Sequence, residues 1–360
     1  MEIYEQLREV LDAHPATAPK TDTIIAILKM LFTPDEAAIA MNMSFKVMDS
    51  EKIASLCSLP GEEAEKLLES MANKGIIYSK TKDGKKLYGL VPLIPGVFEF
   101  PFMKSDGSER FQKLGKLWEK YHDEAFGVSF CGNPTPLMRV VPVEKSLSPQ
   151  NRVHPYEEVR NFIEQARYIA IADCACRTSV GKCDKPKDVC IIFDSAAQFL
   201  AERGFARHVT KAEAMDALDR SEKAGLVHTS NNSADRANLI CNCCPCCCTV
   251  LRGRTQHNHP HAFETSRFEA HVNDVNCTGC GICVDERCPV KAIALNDGVA
   301  VVDAAKCIGC GLCVTGCPEE TIELRERASI PEIPATVVDM AMKVVTEKGR
   351  AEKFIEIMKR

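Results

Sequence analysis

The chain has 360 residues, with 45 Lys and Arg against 50 Asp and Glu, and 20 cysteines. This length has room for two or three domains, and the formal net charge of −5 gives no support for nucleic-acid binding over the whole chain. In an intracellular protein, so many cysteines at C-x2-C spacing indicate metal sites rather than disulfides.

The N-terminal region, residues 1–98, is predicted to form helices followed by a β-hairpin. Apolar residues recur at helical spacing over 24–31 and 64–71, Pro34 permits a new helix start near Asp35, and a further helix is expected over 49–57. Asp83 and Gly84 then separate two short strands, which is typical of a hairpin. This order of helices and hairpin resembles the winged-helix fold, so we expect a winged-helix-like domain here.

A winged helix usually suggests DNA binding, but the charge of this region argues against it. Residues 1–100 hold 11 Lys and Arg against 15 Asp and Glu, a net charge of −4. The expected recognition helix has three glutamates in its first five residues, 61–65, where phosphates would lie. Four wing lysines, at 80, 82, 85 and 86, keep DNA binding open. We favour a docking module or a homodimerisation module over nucleic-acid binding.

The middle region, residues 99–270, predicts a small α/β domain rich in cysteine. Helices are expected over 110–126, which contains the only tryptophan, and over 156–166, 195–203 and 211–225. Strands are expected at 168–172 and 189–193, with a further apolar segment at 226–228. This alternation of strands and helices favours an α/β unit.

Ten cysteines of the middle region are candidate ligands. They fall into two groups: Cys174, Cys176, Cys183 and Cys190, and then Cys241, Cys243, Cys244, Cys246, Cys247 and Cys248. Adjacent cysteines cannot all face one metal, so several must be spare or serve another site. We expect at least one additional [4Fe–4S] cluster that bridges the two groups. The preferred ligands are Cys176, Cys183, Cys244 and Cys247, and the further candidates are Cys174, Cys190, Cys241 and Cys243. The preference rests on spacing and on helical i, i+3 geometry for Cys244 and Cys247. Zinc is the alternative, since C-x-C and C-x2-C spacings are not specific to clusters.

Polar residues near these cysteines have two interpretations each. Arg177 either donates hydrogen bonds to cluster sulfurs and raises a potential or is an ordinary surface arginine. The histidines at 257, 259 and 261 either bind a metal or belong to a polar linker.

Cys57 and Cys131 stand alone in apolar settings, where we expect core thiols.

Residues 277–318 contain one cysteine pattern twice. Each copy has three cysteines at C-x2-C-x2-C and a later Cys-Pro pair. Three such thiolates can surround one corner of an iron–sulfur cube, because the intervening glycines let the backbone curl around it. The repeat resembles the bacterial two-cluster ferredoxins over about residues 272–327. In that family the Cys-Pro cysteine of each copy ligates the other cluster. One [4Fe–4S] cluster is therefore assigned to Cys277, Cys280, Cys283 and Cys317, and the second to Cys307, Cys310, Cys313 and Cys288.

The repeat departs from the ferredoxin pattern at one point. Four residues rather than three separate Cys283 from Cys288, which can shift that cluster's hydrogen bonds and potential. Zinc is the alternative ligand for paired C-x2-C motifs, but eight cysteines in two tandem repeats favour clusters. Residues 292–302 predict a hairpin over the clusters, within a ferredoxin-like domain at 271–327. A tail at 328–360 follows, with a helix over 336–360 that packs on its own protein or docks a partner.

Together these expectations describe an α+β multidomain protein that transfers electrons through several clusters, alone or as a subunit of a soluble anaerobic oxidoreductase. Its partners would be redox proteins or complex subunits. The sequence has no Gly-rich dinucleotide fingerprint after a strand and no P-loop, so flavin, nicotinamide or ATP binding is unsupported. The first residues lack the features of a signal peptide, and no apolar run approaches a membrane span. We therefore expect a cytoplasmic protein.

Two alternatives remain open at this stage. One is a reductase whose middle-domain cluster keeps a coordination site for substrate. The other is a transcription regulator in which cluster oxidation alters a winged helix.

Overall fold

The computed structural model describes residues 2–147 and 159–360. Its N-terminal region contains five helices and a three-stranded sheet. These elements are α1 (Ile3–Asp12), α2 (Asp22–Leu31), α3 (Pro34–Ala40), β1 (Met48–Asp49), α4 (Ser50–Cys57), α5 (Gly61–Lys74), β2 (Ile77–Lys82) and β3 (Lys85–Leu90). The sheet order is β1-β3-β2. A capping box at Thr33 starts α3, and Asp83 and Gly84 turn the hairpin with positive φ. The expected helices and hairpin are present, and α1 was not anticipated.

Three helices connect this region to the middle sheet: α6 (Glu99–Met103), α7 (Glu109–Tyr121) and α8 (Gly127–Cys131). The helix expected over 110–126 therefore has its regular part in α7, and residues 122–126 continue as a wider helical turn. Trp118 and Cys131 are buried in the largest apolar core. That core also contains residues of the N-terminal helices, such as Leu7, and of the C-terminal part, such as Ile357.

The middle region is built on a six-stranded sheet. Its elements are β4 (Met138–Val140), α9 (Val159–Gln165), β5 (Ile169–Asp173), α10 (Ala175–Val180), β6 (Asp188–Phe193), α11 (Asp194–Glu202), β7 (Arg207–His208), α12 (Lys211–Lys223), β8 (Val227–Asn231), β9 (Leu239–Cys243) and α13 (Thr249–Thr255). The strand order is β4-β8-β9-β6-β5-β7. An α/β unit commonly has parallel strands, whereas the described pairs of this sheet are all antiparallel. Residues 156–158 of the helix expected at 156–166 lie outside the described residues.

The ferredoxin-like part contains β10 (Phe268–Val272), β11 (Ile293–Asn296), β12 (Val299–Val302), α14 (Leu312–Thr315) and β13 (Ile322–Glu326). β11 and β12 form the expected hairpin. The outer strands β10 and β13 pair antiparallel over five residues, so the segment closes on itself just outside the cysteine repeat.

The tail forms two helices, α15 (Val337–Glu347) and α16 (Ala351–Lys359), and not the single helix expected over 336–360. Gly349 has φ of 65°, which ends α15 in the manner of a C-terminal glycine. Both helices pack on the N-terminal region: the Ser44 hydroxyl donates to the Ile357 carbonyl at 2.8 Å, and Arg350 pairs with Asp12 at 2.7 Å. Of the two interpretations of the tail, packing on its own chain is the one observed. Across the described residues, we find no helix with the length and apolar character needed to cross a membrane.

Candidate iron–sulfur and metal centres

The first predicted quartet of the ferredoxin repeat surrounds a single cavity. Cys277, Cys280, Cys283 and Cys317 all line a space of about 330 Å³, including the part open to solvent. The chain curls around it at Gly279, which has φ of +66°, and a Cβ at this position would overlap the carbonyl oxygen of Gly298. Only glycine fits such a conformation and such a close backbone approach.

The second predicted quartet surrounds a separate cavity of about 320 Å³, again including the part open to solvent. Its lining includes Cys288, Cys307, Cys310 and Cys313. Gly309 has φ of +67°, and a Cβ there would overlap the Phe268 carbonyl and the Ser266 hydroxyl. Each quartet thus combines three thiols of one repeat with the Cys-Pro thiol of the other. The donor set and the glycine cradles fit two [4Fe–4S] clusters.

The two cavities differ in their access to solvent. Cys280 of the first is exposed, whereas Cys307, Cys310 and Cys313 of the second are buried. Burial raises the pKa of the Cys310 thiol to about 12, so a bare thiolate is disfavoured there until a metal supplies positive charge. Burial also acts on Cys317, but hydrogen bonds from Thr321 outweigh it and lower the pKa of that thiol.

The second cavity adjoins the middle region. The Val143 amide donates to the Cys310 carbonyl at 3.0 Å. Arg287 donates to the Leu312 carbonyl at 2.8 Å and to the Glu222 carbonyl at the end of α12 at 3.1 Å. Ile308, Cys310 and Leu312 belong to the same apolar core as Cys243 and Cys248. Arg287 lies in the four-residue spacing that departs from the ferredoxin pattern.

Six of the ten middle-region thiols form a closed ring, which we call the thiol ring. Each thiol interacts with two neighbours, in the order Cys174, Cys176, Cys248, Cys243, Cys241, Cys190 and back to Cys174. The Sγ atoms of Cys243 and Cys248 are 3.2 Å apart.

Strand pairing explains half of the thiol ring. The register that pairs Ile191 with Ile240 sets Cys190 of β6 beside Cys241 of β9, and Cys243 lies on the same face of β9 two residues on. Hydrogen bonds from the neighbouring Cys174 and Cys241 lower the pKa of Cys190 to about 5. A thiolate at Cys190 is thus stabilised by two neighbouring thiols, whose own pKa values are raised.

All six thiols of the ring line the largest cavity described, about 1590 Å³ including the part open to solvent. Apolar and aromatic residues also line it, among them Tyr78, Phe100 and Phe199. Glu99 also lines the cavity and accepts a hydrogen bond from the Gly96 amide at 2.8 Å. Burial, and then the charge of Cys176, raises the pKa of Glu99 to about 8, so this carboxyl is largely protonated at neutral pH.

Arg177 lies beside the thiol ring and is fully buried, so the surface-arginine interpretation is wrong. Its Nη1 donates to the Asn242 carbonyl at 2.9 Å. Within the described residues, its Nε and Nη2 have no hydrogen-bond partner. Although burial opposes it, the charge of the Cys174, Cys190 and Cys244 thiolates raises the pKa of Arg177. A buried guanidinium with two orphaned donors fits a site that holds additional negative charge or sulfur acceptors.

The remaining four thiols form a compact group, which we call the thiol tetrad: Cys183, Cys244, Cys246 and Cys247. All four Sγ atoms lie within 4.8 Å of one another. Cys183 is 3.8 Å from Cys244 and 3.9 Å from Cys247, and Cys246 is 3.8 Å from Cys247. The structure thus brings together three of the four preferred ligands of the middle region, and Cys246 takes the place of Cys176. Residues 244–248 form a turn rather than the assumed helix.

Of the histidine run, only His257 joins a potential metal group, with His122 and Asp123. A cation is disfavoured there because Arg252 already occupies the site. Its Nη2 is 2.7 Å from Nδ1 of His122 and 3.8 Å from Asp123. Burial, followed by the Arg252 charge, lowers the pKa of His122.

Comparisons with known proteins address the C-terminal repeat. Residues 269–318 match the family described as a 4Fe-4S dicluster domain. A stretch of 38 residues is 60% identical to a probable ferredoxin of Methanosarcina thermophila, covering 10% of this chain and 64% of that protein. The chain thus spans a little less than two thirds of that relative. The expected resemblance is confirmed: the C-terminal region contains a ferredoxin-type 4Fe–4S domain.

Proposed function

We propose that this protein relays single electrons from a redox partner, through the two ferredoxin-type sites, into a cluster held by the thiol ring. The observation that carries the proposal is the gradient of burial along this route. Cys280 is exposed, the Cys307, Cys310 and Cys313 thiols are buried, and the second site shares an apolar core with Cys243 and Cys248 of the ring. A partner would therefore contact the first site.

When bound, [4Fe–4S] clusters take up and release one electron at a time. The residues of this chain supply ligands, hydrogen bonds and exclusion of water, which together set the potential. At the first site, the Ala300 amide lies 3.4 Å from the Cys277 sulfur. At the second, the Ala292 amide lies 3.1 Å from the Cys288 sulfur. Backbone donors of this kind stabilise thiolate ligands.

The thiol ring is the better candidate for the additional cluster. Its six thiols exceed the four that one cube needs, it adjoins a cavity, and the orphaned donors of Arg177 lie beside it. The ligand set expected from the sequence is revised accordingly: Cys174, Cys176, Cys190, Cys241 and Cys243 stay candidates, and Cys248 joins them.

The N-terminal region supports a docking role better than a DNA-binding role. The element order and the β1-β3-β2 sheet support the winged-helix-like assignment of residues 1–98. Arg203 contacts Glu69 of α5 at 3.1 Å and Ser79 of β2 at 2.8 Å, so the middle region covers one side of the expected recognition helix. The outward Glu62 and Glu63 would repel a duplex. Homodimerisation through this region stays a prediction.

A second candidate function is reduction of a small substrate at the thiol ring. The cavity that opens beside the ring favours it, since its apolar and aromatic lining suits an organic molecule. Glu99 is held protonated near the ring and could supply a proton to a substrate that receives electrons there. The substrate would then need two electrons, delivered singly, and a second proton from solvent.

Iron and acid-labile sulfide per chain, measured on anaerobically purified protein, test the leading proposal. We expect about twelve iron, since each of three cubes holds four, and three reducible centres in a redox titration followed by electron paramagnetic resonance. Combined replacement of Cys190, Cys241, Cys243 and Cys248 by serine leaves two ring thiols, too few for a cube, and should remove about four iron while the ferredoxin signals stay. Cys57→Ser, at a half-buried thiol outside every site, is the matched control. Eight iron in both the parent and this four-residue variant would refute a cluster in the ring.

A further inference from the structure

We propose that the thiol tetrad binds one metal ion of the Zn²⁺ class, as a structural site separate from every iron–sulfur cluster. This proposal concerns Cys183, Cys244, Cys246 and Cys247 only, and it does not depend on the electron route described above. The ion would join the loop after α10 to the turn after β9.

Sulfur spacing is the main argument for a single ion. Zinc binds thiolate at about 2.3 Å, so four thiolates at the corners of a tetrahedron around it lie about 3.8 Å apart. Three of the six sulfur–sulfur separations in the tetrad are 3.8, 3.9 and 3.8 Å, and the others are at most 4.8 Å. In a cube each thiolate binds a different iron, so the thiolates are held farther apart than around one ion.

The ferredoxin quartets provide an internal reference for this spacing. Over the described parts of the chain, no three of their eight thiols lie within 4.8 Å of one another, although each quartet lines a cavity. The ferredoxin quartets and the tetrad thus display two spacings, one wide enough for a cube and one suited to a single ion.

The surroundings of the tetrad also suit a thiolate–metal complex. Four thiolates around Zn²⁺ carry a net charge of −2, and the buried Arg177 interacts with Cys244 and offsets part of it. A backbone amide from Lys182 contacts Cys247. Val189 and Leu226 pack around Cys244 and Cys247 in a small apolar cluster, which shields the centre from water. Contacts of this kind around the ligands orient them and are typical of metal sites in proteins.

The position of the tetrad indicates what an ion bound there would do. Its two segments are the ones that carry the thiol ring: the chain around α10 bears Cys174 and Cys176, and the end of β9 bears Cys241 and Cys243. An ion at the tetrad would fix these segments to each other and thereby hold the ring in shape.

Zinc content and zinc K-edge X-ray absorption of the full-length, anaerobically purified protein test the proposal. We expect one zinc per chain with four sulfur neighbours at about 2.3 Å. Cys246→Ser should lose this zinc and keep the iron of the ferredoxin domain, and Cys57→Ser should keep both. Cys246→His should retain zinc with one nitrogen and three sulfur neighbours, because histidine is also a zinc ligand. This variant separates the loss of a zinc ligand from misfolding of Cys246→Ser.

Two results would overturn the inference. Loss of about four iron in Cys246→Ser, with no zinc in the parent, would place the tetrad in a cube. Zinc that stays at the same level in Cys246→Ser would mean that the metal binds elsewhere.

Discussion

Replacement of Arg177 by methionine tests whether metal centres are bound at the thiol ring or the thiol tetrad. Methionine keeps the length and apolar stem of the buried side chain and removes the charge. With anionic centres in the ring or tetrad, the substitution leaves a buried negative charge without its partner, which costs about 3–5 kcal/mol. Without bound anionic centres, the substitution removes a buried cation with two orphaned donors. The main loss is then the charged hydrogen bond to the Asn242 carbonyl, which is worth at most about 1.5–3 kcal/mol.

These energies convert to a measurable shift in melting temperature. An unfolding entropy of about 2.1 cal/mol/K per residue gives roughly 0.76 kcal/mol/K for this chain, so 4 kcal/mol corresponds to about 5 °C. We expect Arg177→Met to lower the Tm of the anaerobic, metal-loaded protein by about 4–7 °C. After chelation, the same substitution should change Tm by clearly less.

Arg220→Met is the control for this experiment. Arg220 of α12 pairs with Asp188 at the start of β6 and with Asp216 on its own helix, each at 2.9 Å, in partly exposed positions where ion pairs are worth about 0–1 kcal/mol. Its effect should be small and equal in both forms. An equal drop in Tm for Arg177→Met with and without metal would refute the argument that the guanidinium neutralises a bound centre.

Three further predictions concern packing and pH. Gly253→Ala should destabilise the protein by about 1–3 kcal/mol, because the new Cβ would overlap the Cys131 sulfur, and adding Cys131→Ala should restore part of the loss in urea unfolding. Gly309→Ala should abolish the signal of the second ferredoxin-type cluster while Gly61→Ala, in open space, should not. Burial, and then Arg350, lowers the pKa of Lys348 from 10.5 to about 8. Between pH 8 and 10.5 the unfolded chain binds more protons than the folded chain at this lysine. The contribution of Lys348 to the free energy of unfolding therefore rises with pH, by up to about 3 kcal/mol. In Lys348→Met this rise should be absent when unfolding is measured between pH 8 and 10.5.

The ferredoxin-type domain could be predicted from the sequence because its information is local. Spacing of two residues between cysteines, with glycine at 279 and 309, specifies a chain that curls, and the resemblance to the two-cluster ferredoxins implies which thiols meet. The hairpin at 293–302 followed from its turn residues for the same reason. The break in the tail at Gly349 also had a local signal, since a glycine flanked by charged residues ends many helices, but the apolar pattern on both sides suggested one helix.

The middle-region site depends on contacts that spacing does not encode. Cys190 meets Cys241 only because β6 pairs with β9 in one register, and these residues are 51 positions apart. Cys183 meets Cys244 because the loop after α10 returns to the end of β9. Cys246 was left out of the predicted ligand set and Cys176 was included, because the 244–248 segment was taken as helical. The burial of Arg177 had no local signal at all.

Strand alternation explains how the run of six cysteines serves two sites. Successive side chains of a strand point to opposite faces, so Cys241 and Cys243 of β9 face the thiol ring, and Cys244, at the end of the strand, faces the tetrad. The following turn returns Cys248 to the ring, where its sulfur also accepts from the Leu251 amide at the start of α13. Val189 and Cys190 also point to opposite faces: Val189 packs in the tetrad's apolar cluster, and Cys190 belongs to the ring.

Zinc has no redox chemistry, so an ion at the tetrad would carry no electrons, and the route into the middle region would end at the ring. Loss of that ion would then affect electron transfer only through the shape of the ring. The potential of a ring-bound cluster should therefore shift in Cys246→Ser, while the potentials of the two ferredoxin-type clusters stay as they are.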